Sequence, residues 1–204
     1  MGLKLTKEEM EEEWRDLELN PQGIKVLFLD IDGVMNSTKG KELLHDFYKG
    51  NPGGPYINYV FNKWSVDYLK TLTECHKFYI VLTSSMRNHS KRMVEMFKKN
   101  KLDHRYIIGK TPVIDNDWDD EYVEAKRGNE IRLFLIDNQE LISDYVVLDD
   151  DDFDIKGYIP DINFVKTNPK YGLNGKGFNE ILNAISPLYG ITSSNESLYD
   201  FDKL

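Results

Sequence analysis

The stretch Val26-Leu27-Phe28-Leu29-Asp30-Ile31-Asp32-Gly33-Val34 is the most informative part of the chain. Its first four residues form a short apolar run typical of a strand buried on both faces, and Gly33 lets the backbone turn directly after it. Asp30 and Asp32 then lie at the carboxyl end of the strand, the edge at which open α/β sheets bind ligands. Two carboxylates in one pocket repel each other, so the pattern predicts a cation, and Mg²⁺ suits oxygen ligands shared with a phosphate. The alternative is an acidic turn without function, since Asp and Gly are ordinary turn residues.

Composition indicates one globular domain and restricts the classes of partner that we expect. The chain has 204 residues, of which 40% are hydrophobic and 12% aromatic, too many for a disordered protein. It has no apolar run of the roughly 20 residues that a membrane helix needs, and it has a single cysteine, Cys75. We therefore expect no membrane partner and a reducing, cytoplasmic location. The formal net charge of −9 argues against bulk binding of nucleic acid, although basic residues between Lys91 and Arg105 allow either a local basic groove or a solvated helix face.

Apolar patterns predict alternating helices and strands after an N-terminal segment. A capping box at residues 6–9 predicts an amphipathic helix over 6–19, within a segment 1–23 that we expect to pack on the core. The main domain then covers 24–190, with 35–60 as a small insertion or cap over the active edge and 191–204 as a flexible tail. Strands are predicted at Ile24–Leu29, Phe78–Leu82, Arg105–Gly109, Tyr145–Leu148 and Asn163–Thr167, and helices at 62–76, after residue 90, from Arg127 with Ile131, Phe134, Leu135 and Ile136 inward, and at Gly177–Ile185. This alternation predicts an α/β fold: a three-layer, Rossmann-like, mainly parallel sheet with helices on both faces and a small cap or none.

Polar residues follow three of the predicted strands. Asp30 and Asp32 follow the first, Thr83 and Ser84 the second, and the acidic run that begins at Asp149 the fourth. If these strands are parallel neighbours, their ends meet in one crevice. A carboxylate pair, a hydroxyl for a phosphoryl oxygen and a third acidic ligand for Mg²⁺ are the parts that phosphoryl transfer requires.

A cation must also compensate the negative charge that spreads over the phosphoryl group in the transition state. Arg127, at a predicted helix start ahead of the fourth strand, is the first choice, with Lys110 and Lys126 as alternatives. Arg87, just past the second strand, is expected to hold the substrate phosphate through two hydrogen bonds.

These motifs resemble the haloacid dehalogenase superfamily of phosphatases and phosphotransferases. Its first motif, a hydrophobic strand followed by Asp-x-Asp-Gly-[Val/Thr], is matched by Val26–Val34; its second, a strand ending in Thr or Ser, by Ile80–Thr83; its fourth, a strand ending in two acidic residues, by Val146–Asp150. The third is a lone Lys or Arg, here assigned to Arg127. The wording Leu-Thr-Ser-Ser-Met-Arg, Arg-Gly-Asn-Glu-Ile and Val-Leu-Asp-Asp-Asp is similar to the subgroup described with Swiss Army Knife RNA repair proteins.

The resemblance implies a mechanism and a set of site residues. Asp30 would attack phosphorus to form an aspartyl-phosphate, while Asp32 would protonate the leaving oxygen and then activate water. Thr83 and Arg127 would hold and neutralise the phosphoryl group. The expected Mg²⁺ ligands are Asp30, the backbone carbonyl of Asp32 and an acidic residue of the fourth motif. For that acidic residue Asp150 is preferred to Asp149, and Asp154 is an outside alternative. The expected substrate contacts are Ser84, Arg87 and Lys110.

The expected function is therefore that of a Mg²⁺-dependent phosphohydrolase acting on a phosphomonoester, either a small molecule or a nucleotide or nucleic-acid end. The alternative from another class is a non-catalytic regulatory module that keeps the fold and binds metal or phosphate. The presence of both Asp30 and Asp32 favours the enzyme.

Overall fold

A five-stranded parallel sheet forms the centre of the protein. The structure is a computed structural model that describes residues 23–48, 60–114 and 126–185. The strand order is β3-β2-β1-β4-β5, and all neighbouring strands are parallel. The predicted parallel α/β architecture is confirmed. The strands are β1 (Ile24–Leu29), β2 (Phe78–Leu82), β3 (Ile107–Lys110), β4 (Ile142–Asp149) and β5 (Phe164–Lys166).

The register of the sheet aligns the ends of its three central strands. Leu29, the last residue of β1, pairs with Leu82 at the end of β2 on one side and with Leu148 near the end of β4 on the other. The residues that follow these three, Asp30, Thr83 and Asp149, are therefore brought to the same level at the carboxyl edge. A shift by one residue in either pairing would separate the polar groups, so the apolar packing of the strands sets the geometry of the site.

Five α-helices accompany the sheet within residues 23–48, 60–114 and 126–185. Phe28 of β1 packs edge-on against Phe134 of one helix, with ring centroids 5.6 Å apart. Two other helices contact each other through Tyr68 and Phe178, whose ring centroids are 5.3 Å apart. The helices are α1 (Thr38–Tyr48), α2 (Lys63–Glu74), α3 (Ser90–Lys99), α4 (Arg127–Asp137) and α5 (Gly175–Ile185).

The observed elements differ from the sequence predictions in several places, among them β4, which begins at Ile142 and not at the predicted Tyr145. The predicted insertion or cap begins with a regular helix, α1, which the Gly- and Lys-rich sequence had not indicated. The third strand begins at Ile107, because His104–Tyr106 form a 3-10 turn. Ile136, predicted to face inward on α4, has 60% of its surface exposed. Successive residues are about 100° apart around a helix, so Ile136, two residues after Phe134, faces nearly the opposite way.

Several expectations lie outside the described residues. The N-terminal helix over 6–19 and the tail 191–204 both fall there, as do residues 49–59 of the predicted insertion. Among the helices that are described, none is sufficiently long and apolar to cross a membrane.

Candidate active site

A cavity of about 360 Å³ opens at the carboxyl ends of β1, β2 and β4. Its walls come from the loop after β1, the start of α1, the end of β2, the start of α4 and the loop after β4. The lining residues are Asp30, Asp32, Gly33, Asn36, Thr38, Lys41, Ser84, Ser85, Arg127, Asp149, Asp150, Asp151 and Pro169. Three of the four expected catalytic residues therefore share one cavity.

The turn after β1 gives its two aspartates different surroundings. Gly33 has φ +77°, a left-handed conformation, and its N–H donates to Asn36 O at 2.8 Å. Thr167 fixes the same turn by donating its hydroxyl to Gly33 O at 3.0 Å. Asp30 is buried, whereas the side chain of Asp32 is 60% exposed in the cavity. Two carboxylates with such different solvation are suited to different chemical roles.

Three carboxylates converge at the base of the cavity. Oxygens of Asp30, Asp149 and Asp150 lie within 4.8 Å of one another. Burial, followed by the charge of Asp149, raises the pKa of Asp30 to about 7. Burial is also the first cause of the raised pKa values of Asp149 and Asp150. Hard oxygen ligands held so close together with an excess of negative charge fit Mg²⁺.

Arg127 is the cation that contacts this cluster. Its Nη1 donates to Asp30 Oδ1 at 3.2 Å and also to Asp149 Oδ2. Burial opposes its charge, but the carboxylates of Asp149 and Asp30 outweigh burial and raise the pKa of Arg127. Arg127 therefore remains charged and holds the two carboxylates together.

Asp154 positions Arg127 and lies outside the three-carboxylate group. As the first residue of α4, Arg127 donates its backbone N–H to Asp154 Oδ2 at 3.4 Å, and Gly128 N–H donates to Asp154 O at 2.9 Å. The acidic side chain also complements the positive end of the helix dipole. The structure thus places the side chain of Asp154, the outside alternative for a metal ligand, against the start of α4.

The two alternatives to Arg127, Lys110 and Lys126, do not line the cavity. Lys110 donates its ammonium to Asn88 Oδ1 at 2.8 Å, and neither residue lines the cavity. Lys126 lies over the ring of Phe153, with its Nζ 5.4 Å from the ring centroid. The structure therefore does not place Lys110 at the cavity, where the expected contact with substrate would be made.

The end of β2 supplies two hydroxyl groups. Ser84 lines the cavity, and its Oγ accepts from Met86 N–H at 3.3 Å. Thr83 is completely buried, and its Oγ1 has no hydrogen-bond partner among the described residues. A buried hydroxyl without a partner is costly unless a ligand satisfies it. Thr83 is not itself a lining residue, but it directly precedes Ser84, which lines the cavity, so its hydroxyl is a candidate for contact with a bound phosphoryl group.

Arg87 does not reach the cavity, contrary to the expected phosphate contact. Its side chain is buried and forms an ion pair with Glu130 of α4 at 2.7 Å. It also donates to the backbone carbonyls of Thr83 at 3.0 Å, Ser84 at 3.2 Å and Pro112 at 3.2 Å. These contacts tie the end of β2 to α4, so Arg87 positions the backbone beside the site.

Sequence reasoning missed the contribution of α1. Thr38 and Lys41 line the cavity, and Lys41 Nζ lies 3.6 Å from Asp32 Oδ1. Backbone hydrogen bonds from Thr38 to Pro169 O and from Lys39 to Lys170 O, both 3.0 Å, fasten the helix start to the loop after β5. The signal available in the sequence was a lysine in a segment expected to cover the active edge; the helix and its long-range contacts were needed to place it.

Comparison with known proteins identifies the family. A scan of family models matches residues 26–177, more than half of the chain, to the model described as "HAD domain in Swiss Army Knife RNA repair proteins". No curated protein and no solved structure matches the chain with significance. The match covers β1 from Val26 onward, the other four strands in full and every residue of the three-carboxylate group. The chain belongs to the haloacid dehalogenase superfamily, in the family of domains found in Swiss Army Knife RNA repair proteins.

Proposed function

We propose that this protein is a Mg²⁺-dependent phosphomonoesterase that acts through an aspartyl-phosphate on Asp30. The observation that carries the proposal is the convergence of buried Asp30 with Arg127 and two further carboxylates, beside an exposed Asp32 in the same cavity. Members of the superfamily are generally phosphohydrolases, which agrees with this arrangement. The residues also fit Mg²⁺, as the crowding of their oxygens and the raised pKa of Asp30 indicate.

The reaction divides into two displacements at phosphorus. In the first, an Asp30 oxygen forms a bond to phosphorus while the ester oxygen leaves and takes a proton from Asp32. In the second, Asp32 accepts a proton from water, whose oxygen bonds to phosphorus as the bond to Asp30 breaks. Inorganic phosphate is released and both aspartates return to their starting states.

The surrounding groups hold the phosphoryl charge. Arg127 neutralises negative charge at the base of the cavity, and the hydroxyl of Thr83 donates to a phosphoryl oxygen. Bound Mg²⁺ supplies further positive charge to the transferring phosphoryl group. Its ligands would be Asp30, the Asp32 carbonyl and Asp150.

Asp150 is a better candidate than Asp149 for direct metal binding. Both Asp149 oxygens are engaged, since Oδ2 accepts from Arg127 and Oδ1 accepts from Asp151 N–H at 3.0 Å. Asp149 is also completely buried, whereas Asp150 is half-buried. Asp149 therefore orients Arg127, and the Asp150 carboxylate remains for the cation.

The proposed substrate is a nucleotide or nucleic-acid end carrying a terminal phosphate. The matched family model is described by its occurrence in RNA repair proteins. The net charge of −9 disfavours extended contact with a phosphate backbone, so recognition would be confined to the end. A small phosphomonoester that fits the same cavity is the competing substrate.

The test compares wild type with Asp30→Asn and with Asp144→Asn, an exposed carboxylate on β4. Release of phosphate from 3′- and 5′-phosphorylated oligonucleotides is measured with Mg²⁺ and with a chelator. We expect wild type and Asp144→Asn to hydrolyse one of these substrates only with Mg²⁺, and Asp30→Asn to be inactive with unchanged circular dichroism. Activity in Asp30→Asn would refute the nucleophile. Wild-type binding of Mg²⁺ and phosphate without turnover would refute the enzyme and favour the regulatory module.

A further inference from the structure

Phe153 is the most exposed large hydrophobic side chain in the described part of the protein. Its exposed fraction is 81%, against 62% for Ile162 and 60% for Ile136. It lies in the loop that follows β4, and its N–H donates to Asp151 Oδ1 at 3.0 Å. Asp151 itself lines the cavity. An aromatic ring held in water beside an active site retains the apolar area that a ligand could cover.

Two separate segments that each supply a lining residue of the cavity also supply Phe153 and Lys126. On the β4 side, Asp151 lines the cavity and Phe153 follows two residues later. On the α4 side, Arg127 lines the cavity and Lys126 precedes it directly, with its ammonium 5.4 Å from the centroid of the Phe153 ring. The contact between Lys126 and Phe153 therefore links the loop after β4 to the start of α4, close in the chain to the lining residues Asp151 and Arg127.

The loop that carries Phe153 is held in place from both ends. Asp152 O accepts from Lys156 N–H at 3.0 Å, and the Asp152 carboxylate contacts Lys156 and Lys166, each at 2.6 Å. Asp154 is bound to the start of α4 through Arg127 and Gly128. Because the backbone on each side of Phe153 is fixed, little ordering cost remains for a ligand that packs on the ring.

We propose that Phe153, with Lys126 beside it, forms a stacking platform for the nucleobase next to the phosphate in the cavity. The inference rests on the proposed function and specifies the substrate further: a nucleotide or nucleic-acid end that carries its base. A base has a flat π face that stacks on an aromatic side chain, and the ammonium adds attraction for a nucleotide phosphate. A sugar phosphate or glycerol phosphate has no base, so it gains nothing from stacking on the ring.

The experiment uses oligonucleotides with a terminal phosphate, each made with an intact or an abasic terminal residue. The measured quantity is the ratio of kcat/KM for the two forms. We expect Phe153→Ala to lower this ratio about fivefold or more and Phe153→Trp to retain it. The control is Ile162→Ala, which changes an exposed hydrophobic residue just before the start of β5, and it should leave the ratio at the wild-type value. An unchanged ratio in Phe153→Ala would overturn the platform.

A binding measurement separates failure of the platform from failure of the proposed catalytic function. In Phe153→Trp, stacking of a base quenches the introduced indole, and the signal is corrected with wild type, which has three tryptophans. Quenching by the intact oligonucleotide and not by the abasic one supports the platform even if no phosphate is released. Equal quenching by both, or by neither, refutes it. Self-association of wild type that Phe153→Ala abolishes would also refute it, since the ring would then serve a protein contact.

Discussion

Replacing Gly33 by alanine tests whether the absence of a side chain at Gly33 leaves the room that the Asp150 carboxylate needs. Gly33 has φ +77°, and a Cβ built on it lies 2.2 Å from Asp150 Cγ. The Asp150 carboxylate would have to move by 3.4 − 2.2 = 1.2 Å to reach ordinary contact. Metal–ligand distances tolerate shifts of only about 0.2 Å. We therefore expect Gly33→Ala to weaken Mg²⁺ binding by about tenfold or more.

Gly157→Ala is a matched control for this substitution. Gly157 has φ +84°, and a Cβ there meets nothing within 4 Å. Both variants bear the cost of an alanine in the left-handed region, about 1–2 kcal/mol, which urea unfolding measures. Titration calorimetry with Mg²⁺ separates them, because displacement of Asp150 occurs in Gly33→Ala and not in the control. Wild-type Mg²⁺ affinity in Gly33→Ala would refute the assignment of Asp150 as a ligand.

Two further predictions concern buried charges. Glu130→Ala leaves the charge of Arg87 buried without its partner, so we expect the free energy of unfolding in urea to fall by about 3–5 kcal/mol; a loss typical of a surface pair, below about 1 kcal/mol, would contradict the structural role. Because the pKa of Asp30 is raised to about 7, protonated Asp30 stabilises the metal-free protein most at low pH, and this stability is lost as pH rises through 7. Mg²⁺ displaces that proton, so it should raise the melting temperature more at about pH 8 than at about pH 5.5; an equal rise would contradict a metal site that includes Asp30.

The sheet and its active edge could be predicted because their signals are local. Each central strand is a short apolar run that stops at a polar residue, and parallel strands of equal register bring such residues to one edge. Hence Asp30, Thr83 and Asp149 could be placed together before any coordinates.

The positions of Arg87, Lys41 and Asp154, unlike that of Arg127, could not be predicted in this way. Arg87 follows a strand end as a phosphate-binding residue would, and its burial against Glu130 depends on how α4 packs beside β2. Lys41 reaches the cavity because α1 is fastened to the loop after β5, a contact between residues more than 100 positions apart in the chain. Asp154 carries the same side chain as the proposed metal ligands and differs in facing the start of α4. Each of these depends on tertiary contacts that no local pattern encodes.

The most direct test of the account is to find the phosphoryl group on Asp30. Asp32→Asn is mixed with Mg²⁺ and p-nitrophenyl phosphate, whose leaving group departs without protonation, so that the first displacement proceeds and the second lacks its base. Mass spectrometry of the quenched protein should then show one added phosphoryl group on the peptide that contains Asp30. Hydrolysis by wild type, together with no phosphoryl group on Asp30 in this variant or with the group on another residue, would contradict the mechanism.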